Sequence, residues 1–152
     1  MADFSIAIKT VLANEGGLVD DYSDPGGLTN FGISQRSYPN IDIRNLTVEG
    51  ATEIYHRDFW KFDGINDQDI ATKLFDAFVN MGAAAIRLMQ RLVNVTQDGQ
   101  YGPMTEKAIN QYDPGMLLIH YRESLCIYYQ ELVQKNPKLG KFLTGWLKRA
   151  NQ

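Results

Sequence analysis

The sequence predicts a mainly α-helical protein with one small β region. Two observations carry that prediction. Apolar residues recur at helical spacing in most segments, and glycine-rich turn chemistry is concentrated in residues 16–35. With 152 residues, 44% hydrophobic and 22% charged, the chain suits one compact domain with its own core, divisible into lobes at 1–69 and 70–152.

Phe4, Ala7, Ile8, Val11 and Leu12 follow an i, i+3, i+4 stripe, with Asp3 placed to cap the helix and Glu15 at its end. Residues 16–35 then read as turns around a short β-like stretch, Leu28–Ser34, and residues 36–46 as loop. Thr47 is placed to cap a helix running to about Phe62, with Ile54, Tyr55, Phe59 and Trp60 on its apolar side. The segment Phe62–Asp69 breaks it. One long helical stretch is expected from Ile70 to Val95, bent or closely packed at Gly82. Gly99–Pro103 forms a turn, and Pro103 suits the first turn of a helix ending near Tyr112. Met116–Val133 follows, apolar on several sides, and Pro137 precedes a last short helix through Arg149.

No apolar run approaches the roughly 18–20 residues that span a bilayer. The beginning, MADFSIAIKT, does not read as a signal peptide. We therefore expect synthesis in the cytoplasm and no stable membrane insertion. Cys126 is the only cysteine, so no internal disulfide can form. A net charge of −3 gives no electrostatic reason to bind nucleic acid. The charge is uneven: residues 1–69 hold 5 Lys+Arg against 12 Asp+Glu, and residues 70–152 hold 10 against 6. A solvated helix surface accounts for the second half, although a basic surface also suits an anionic polymer.

The run from Glu15 to Ile33 carries the chemistry. Glu15 is followed by Gly16-Gly17, by Asp24 nine residues on, by Gly26-Gly27, and by Thr29. Glycines permit positive φ and close backbone approach, so the run can fold back beside Glu15. Two carboxylates and a hydroxyl facing one cleft are the equipment for acid/base cleavage of a glycosidic bond.

The order EGG, then Asp24-Pro25-Gly26-Gly27, then Thr29-x-x-Gly32-Ile33 resembles the N-terminal signature of glycoside hydrolase family 108, the bacterial and phage N-acetylmuramidases. Phe75–Gly82 (FDAFVNMG) resembles that family's FDxxVNxG segment. Ala85–Gln90, Asp98-Gly99, Gly102-Pro103 and Thr105 resemble its peptidoglycan-binding-like C-terminal region, and Gly145-Trp146 with Arg149 its closing GW-x-x-R. Two positions depart from the pattern: Leu18 stands where an aromatic is common, and Phe59-Trp60 where Tyr-Trp is frequent.

The resemblance implies an α+β lysozyme-like helical bundle with a β-hairpin region at the active site. It also implies hydrolysis of the β-1,4 bond between N-acetylmuramic acid and N-acetylglucosamine, without metal or cofactor. Carried onto this chain from the EGG motif, Glu15 is the general acid. Asp24 is the best candidate for a second carboxylate, to orient water, stabilise positive charge on the sugar or act as nucleophile, against a role in the turn before Pro25. Asp20 and Asp21 compete with it, and Thr29 is placed to hold water beside it. Tyr22, Tyr55, Trp60, Asn80 and Tyr101 are candidates to line a saccharide groove, although helical spacing favours core packing for Tyr55 and Trp60. The expected partner is the glycan strand, met by a monomer in the periplasm or cell wall after export through a holin or a secretion apparatus.

Two rival readings follow from the same residues. A Cys/His peptidase or zinc amidase would use Cys126, His56 or His120, but none sits in a recognisable motif. A non-catalytic peptidoglycan-binding or secretion-accessory protein is the stronger rival, although such a protein has no need of an acid at Glu15.

Overall fold

The computed structural model describes residues 1–21, 23 and 26–152. The chain divides into two compact units, Phe4–Trp60 and Met1–Asp3 with Lys61–Gln152. Among the described residues there are seven α-helices and one three-stranded antiparallel sheet, the mainly α, lysozyme-like class that the sequence predicts.

In the Phe4–Trp60 unit, helix α1 spans Phe4–Glu15 and buries Ala7, Ile8 and Val11, the predicted stripe. Strands β1 (Val19–Asp20), β2 (Leu28–Asn30) and β3 (Ile33–Ser34) pair in the order β1-β2-β3. Val19 faces Thr29 and Asn30 faces Ile33. The β2–β3 connection is therefore a two-residue hairpin turn at Phe31-Gly32. Both residues have positive φ, 52° and 77°, as a type I′ turn requires.

Side-chain amides tie the following loop to this hairpin. Asn30, 6% exposed, donates through Nδ2 to the carbonyls of Ile43 (3.1 Å) and Leu46 (3.3 Å). Gln35 donates through Nε2 to the carbonyls of Tyr38 and Ile41, each at 3.0 Å. Buried backbone carbonyls need such partners, which explains how a loop without regular structure stays in place.

Helix α2 covers Val48–Asp58 and is capped by Thr47, whose Oγ accepts from the amide of Gly50 at 3.0 Å. It stops four residues before the expected end at Phe62. The Tyr55 carbonyl accepts from both Phe59 N (3.1 Å) and Trp60 N (2.9 Å), and Phe59 leaves helical geometry at φ −123°. Trp60, 8% exposed, then packs with its ring 5.6 Å from Phe4.

The second unit is helical throughout: α3 (Gln68–Met81), α4 (Ala83–Leu92), α5 (Pro103–Gln111), α6 (Pro114–Lys135), a 3-10 helix (Pro137–Phe142) and α7 (Leu143–Ala150). The stretch expected as one helix from Ile70 to Val95 is two, divided at Gly82. There the backbone takes φ 63° and ψ −140°, a conformation that side chains oppose. A Cβ at Gly82 would meet nothing within 4 Å, so the glycine serves conformation rather than close packing. Asp67 and Asp113 cap α3 and α6 by accepting from Ile70 N (2.9 Å) and Met116 N (2.8 Å). Helix α6 packs against α3, α4 and α7, with Leu117, Tyr121, Leu125 and Tyr129 on its buried side.

Candidate active site

Glu15 is the last residue of α1, and the chain turns at once through Gly16, whose φ is +73°. The informative neighbour of its carboxyl is a glycine. An ideal Cβ built on Gly32 would lie 2.7 Å from Glu15 Oε2, 2.9 Å from Glu15 Cδ and 2.6 Å from the Tyr55 hydroxyl. Real Cβ atoms do not come that close to their neighbours. The carboxyl and the phenol therefore meet the hairpin turn at a seat that only a residue without a side chain leaves open. Tyr55 is 1% exposed, and its hydroxyl donates to the Phe31 carbonyl at 2.8 Å. That bond holds the turn whose next residue is Gly32. Phe31 accepts a positive φ that is unfavourable for a bulky residue, so packing and this hydrogen bond oppose its relaxation.

Thr29 lies in β2, three residues before Gly32, half-buried and paired with Val19 and Ser34 on either side. Leu18 and Val19, just after the glycine pair, are 47% and 50% exposed and offer apolar surface there. Tyr22 and Asp24 lie outside the described residues. The two acidic competitors are both engaged: Asp20 Oδ2 accepts from Arg44 at 2.7 Å, and Asp21 Oδ1 accepts from the amide (2.8 Å) and hydroxyl (2.6 Å) of Ser23.

Tyr55 and Trp60 are buried in the core of their unit, consistent with their helical spacing. Asn80 and Tyr101 belong to the second unit. There Asn80 donates through Nδ2 to the Tyr129 hydroxyl, and its Oδ1 accepts from Arg149 at 3.5 Å. Arg149 forms a two-pronged ion pair with Asp76, 2.9 Å on each side, with side chains only 15% and 4% exposed. The polar members of the FDxxVNxG-like and GW-x-x-R-like segments thus bond to one another. Tyr101 donates its hydroxyl to Glu106 Oε2 at 2.9 Å and packs edge-on to Phe62 at 4.9 Å. Burial and that carboxylate push its phenol well above the ordinary value.

Cys126, on α6, makes a sulfur contact of 3.7 Å with Asn151 Oδ1, and His56 packs against Phe4 at 4.6 Å between ring centroids. Among the described residues no three His, Cys, Asp or Glu side chains converge as metal ligands do.

Residues 8–82 match the family model for glycosyl hydrolase 108, and residues 84–151 match that for a predicted peptidoglycan domain. The first half of the chain, residues 8–82, is thus a glycosyl hydrolase 108 domain. A solved structure titled as that of Brucella abortus SagA aligns with a TM-score of 0.81 at 26% identity, covering 97% of this chain and 89% of that one. Comparison with curated protein sequences returns no significant match. The family and the second matched domain make this hydrolase a glycoside hydrolase of the peptidoglycan-degrading kind. No helix among the described residues is long and apolar enough to cross a membrane.

The residue that sequence reasoning undervalued is Gly32. It stood inside the Thr29-x-x-Gly32-Ile33 match, yet only the hairpin shows that its missing side chain leaves room for Glu15. Leu18, read as a departure from an aromatic position, is the other: its exposure leaves it available for contact.

Proposed function

We propose that this hydrolase cleaves the β-1,4 bond between N-acetylmuramic acid and N-acetylglucosamine, with Glu15 as general acid. The observation that supports this most is the Glu15 carboxyl seated at Gly32 beside the Tyr55 hydroxyl. A proton donor works only when fixed within hydrogen-bond reach of the leaving oxygen, and a carboxyl bounded by a rigid turn and a buried phenol has few alternatives. Glu15 gives its proton to the glycosidic oxygen as the C–O bond breaks. Asp24, with Thr29, holds a water that adds to the anomeric carbon, and the Asp24 carboxylate takes the water's proton. Asp24 precedes Pro25 within the family-like motif, whereas Asp20 is paired with Arg44 and Asp21 with Ser23.

In this reading Tyr55 positions Glu15 rather than stacking on sugar, because its ring is buried. Leu18 and Val19 offer the exposed apolar surface for the glycan, and Trp60 and Asn80 hold their own units together. The decisive experiment is mass spectrometry of soluble products from purified peptidoglycan. Fragments with N-acetylmuramic acid at the new reducing end are expected. Glucosamine reducing ends or cut peptides would refute the assigned bond, and an absence of cleavage across several wall types would favour a binding module.

A further inference from the structure

Residues between Gln90 and Thr105, where α4 passes to α5, line a half-open pocket of about 590 Å³ within the second unit. That size is ordinary for small ligands. The pocket is built around Gln90, which is 1% exposed. Its Nε2 donates to Asp98 Oδ1 (2.8 Å), to the Gln100 carbonyl (3.0 Å) and to Thr105 Oγ1 (3.1 Å), and its Oε1 accepts from Gly99 N at 3.0 Å. Asp98 Oδ1 also accepts from Gln100 N at 2.9 Å. The carboxylate is thus oriented in advance by two donors, which also hold its pKa below the ordinary value. No Lys, Arg or His lines the pocket, and Val95, Pro103 and Met104 supply apolar wall. Met104 is 75% exposed, more than a residue kept only for packing would be. An anionic pocket here is not an average of its surroundings, since residues 70–152 carry 10 basic against 6 acidic side chains.

We propose that this pocket binds the amine-bearing aliphatic side chain of a peptidoglycan stem peptide, with the ammonium on Asp98 and the methylenes along Val95 and Met104. The assignment rests on the wall-polymer reading and deepens it: the second unit reads stem peptides by their free amine while the first cuts glycan. Asp98 is exposed, so the ion pair supplies selectivity more than affinity.

The test uses the full wild-type chain and the tripeptide L-Ala-γ-D-Glu-L-Lys, whose last side chain ends in an ammonium with no carboxylate beside it and which contains no glycosidic bond to cut. Binding is followed by calorimetry or by NMR shifts of residues 90–105, against the same peptide with its side-chain amine acetylated. The free amine should bind about three- to fivefold more tightly than the acetylated form. Asp98→Asn should erase that difference at unchanged thermal stability, because the amide oxygen still accepts from Gln90 and Gln100. Glucosamine, which has an ammonium but no aliphatic chain, should fail to compete. Equal binding of both peptides, persistence of the preference in Asp98→Asn, or competition by glucosamine would overturn the proposal. The acetylated control needs no mutation, so misfolding cannot imitate its result. Wall cleavage measured alongside separates the two readings: cleavage without amine preference removes only the pocket assignment, and amine preference without cleavage removes only the hydrolase mechanism.

Discussion

The two units dispose of their polar side chains in opposite ways. In the second unit they turn inward and bond to one another or to backbone carbonyls of packed helices: Asp76 with Arg149, Asn80 with Tyr129, Tyr121 with the Ala85 carbonyl at 2.9 Å, and Lys73 with the Arg149 carbonyl at 2.6 Å. In the Phe4–Trp60 unit, buried amides such as Asn30 hold loops, while Glu15 stands at a helix end against a turn with two successive positive φ angles. Strain of this kind persists only where the surroundings over-determine it. The contrast teaches that one unit uses polar groups to fix its packing, and the other uses packing to fix a polar group.

The largest effect that would sharpen this contrast is expected from Gly32→Ala. The new methyl would fall 2.7 Å from Glu15 Oε2 and 2.6 Å from the Tyr55 hydroxyl. Displacing a reacting group by about 1 Å costs on the order of 10²-fold in rate. The positive φ adds a stability loss of about 1–2 kcal/mol. Wall-hydrolysis rates measured beside urea unfolding should show activity falling far more than stability; equal falls would make Gly32 merely structural.

Next comes Asp76→Asn in the other unit, which leaves the Arg149 guanidinium largely buried without its countercharge. Breaking such a pair by one partner costs about 3 kcal/mol, read as a lower urea midpoint. If stability is unchanged, the inward network is not what fixes the second unit.

Tyr55→Phe should be milder, costing about 1 kcal/mol for the lost bond to the Phe31 carbonyl, with a smaller rate loss than Gly32→Ala. A larger loss would mean that the hydroxyl takes part in the chemistry directly.

The smallest effect concerns pH. Burial lowers the Lys73 pKa from 10.5 to about 8. Between those values the unfolded chain binds a proton that the folded chain does not, so this group makes stability rise with pH across that window. Burial of Tyr121 raises its phenol well above 10.0; that group instead makes stability fall as pH rises beyond 10. Chemical unfolding of wild type and Lys73→Met from pH 7 to 10 should show the rise in wild type alone.

Much of this contrast was legible in the sequence and some was not. The α1 stripe and the cap at Thr47 follow from local spacing, whereas Gly82 was legible only as a bend or packing point and not as the boundary between two helices. Strand β1 was missed because Val19-Asp20 finds its partners, Thr29 and Leu28, across a long turn-rich segment. The partner of Asn80 was illegible for the same reason, since Tyr129 lies 49 residues away. The proposed acid, Glu15, was readable as part of an ordered motif. Why Gly32 belongs to that motif became visible only with the hairpin folded against α1 and α2.

The central claim, that Glu15 is the acid the first unit is built to hold, is tested most directly by Glu15→Gln. Release of soluble fragments from purified peptidoglycan should fall on the order of 10²–10⁴-fold, with unchanged circular dichroism and melting temperature. A folded Glu15→Gln protein that keeps a tenth or more of wild-type activity would contradict the account.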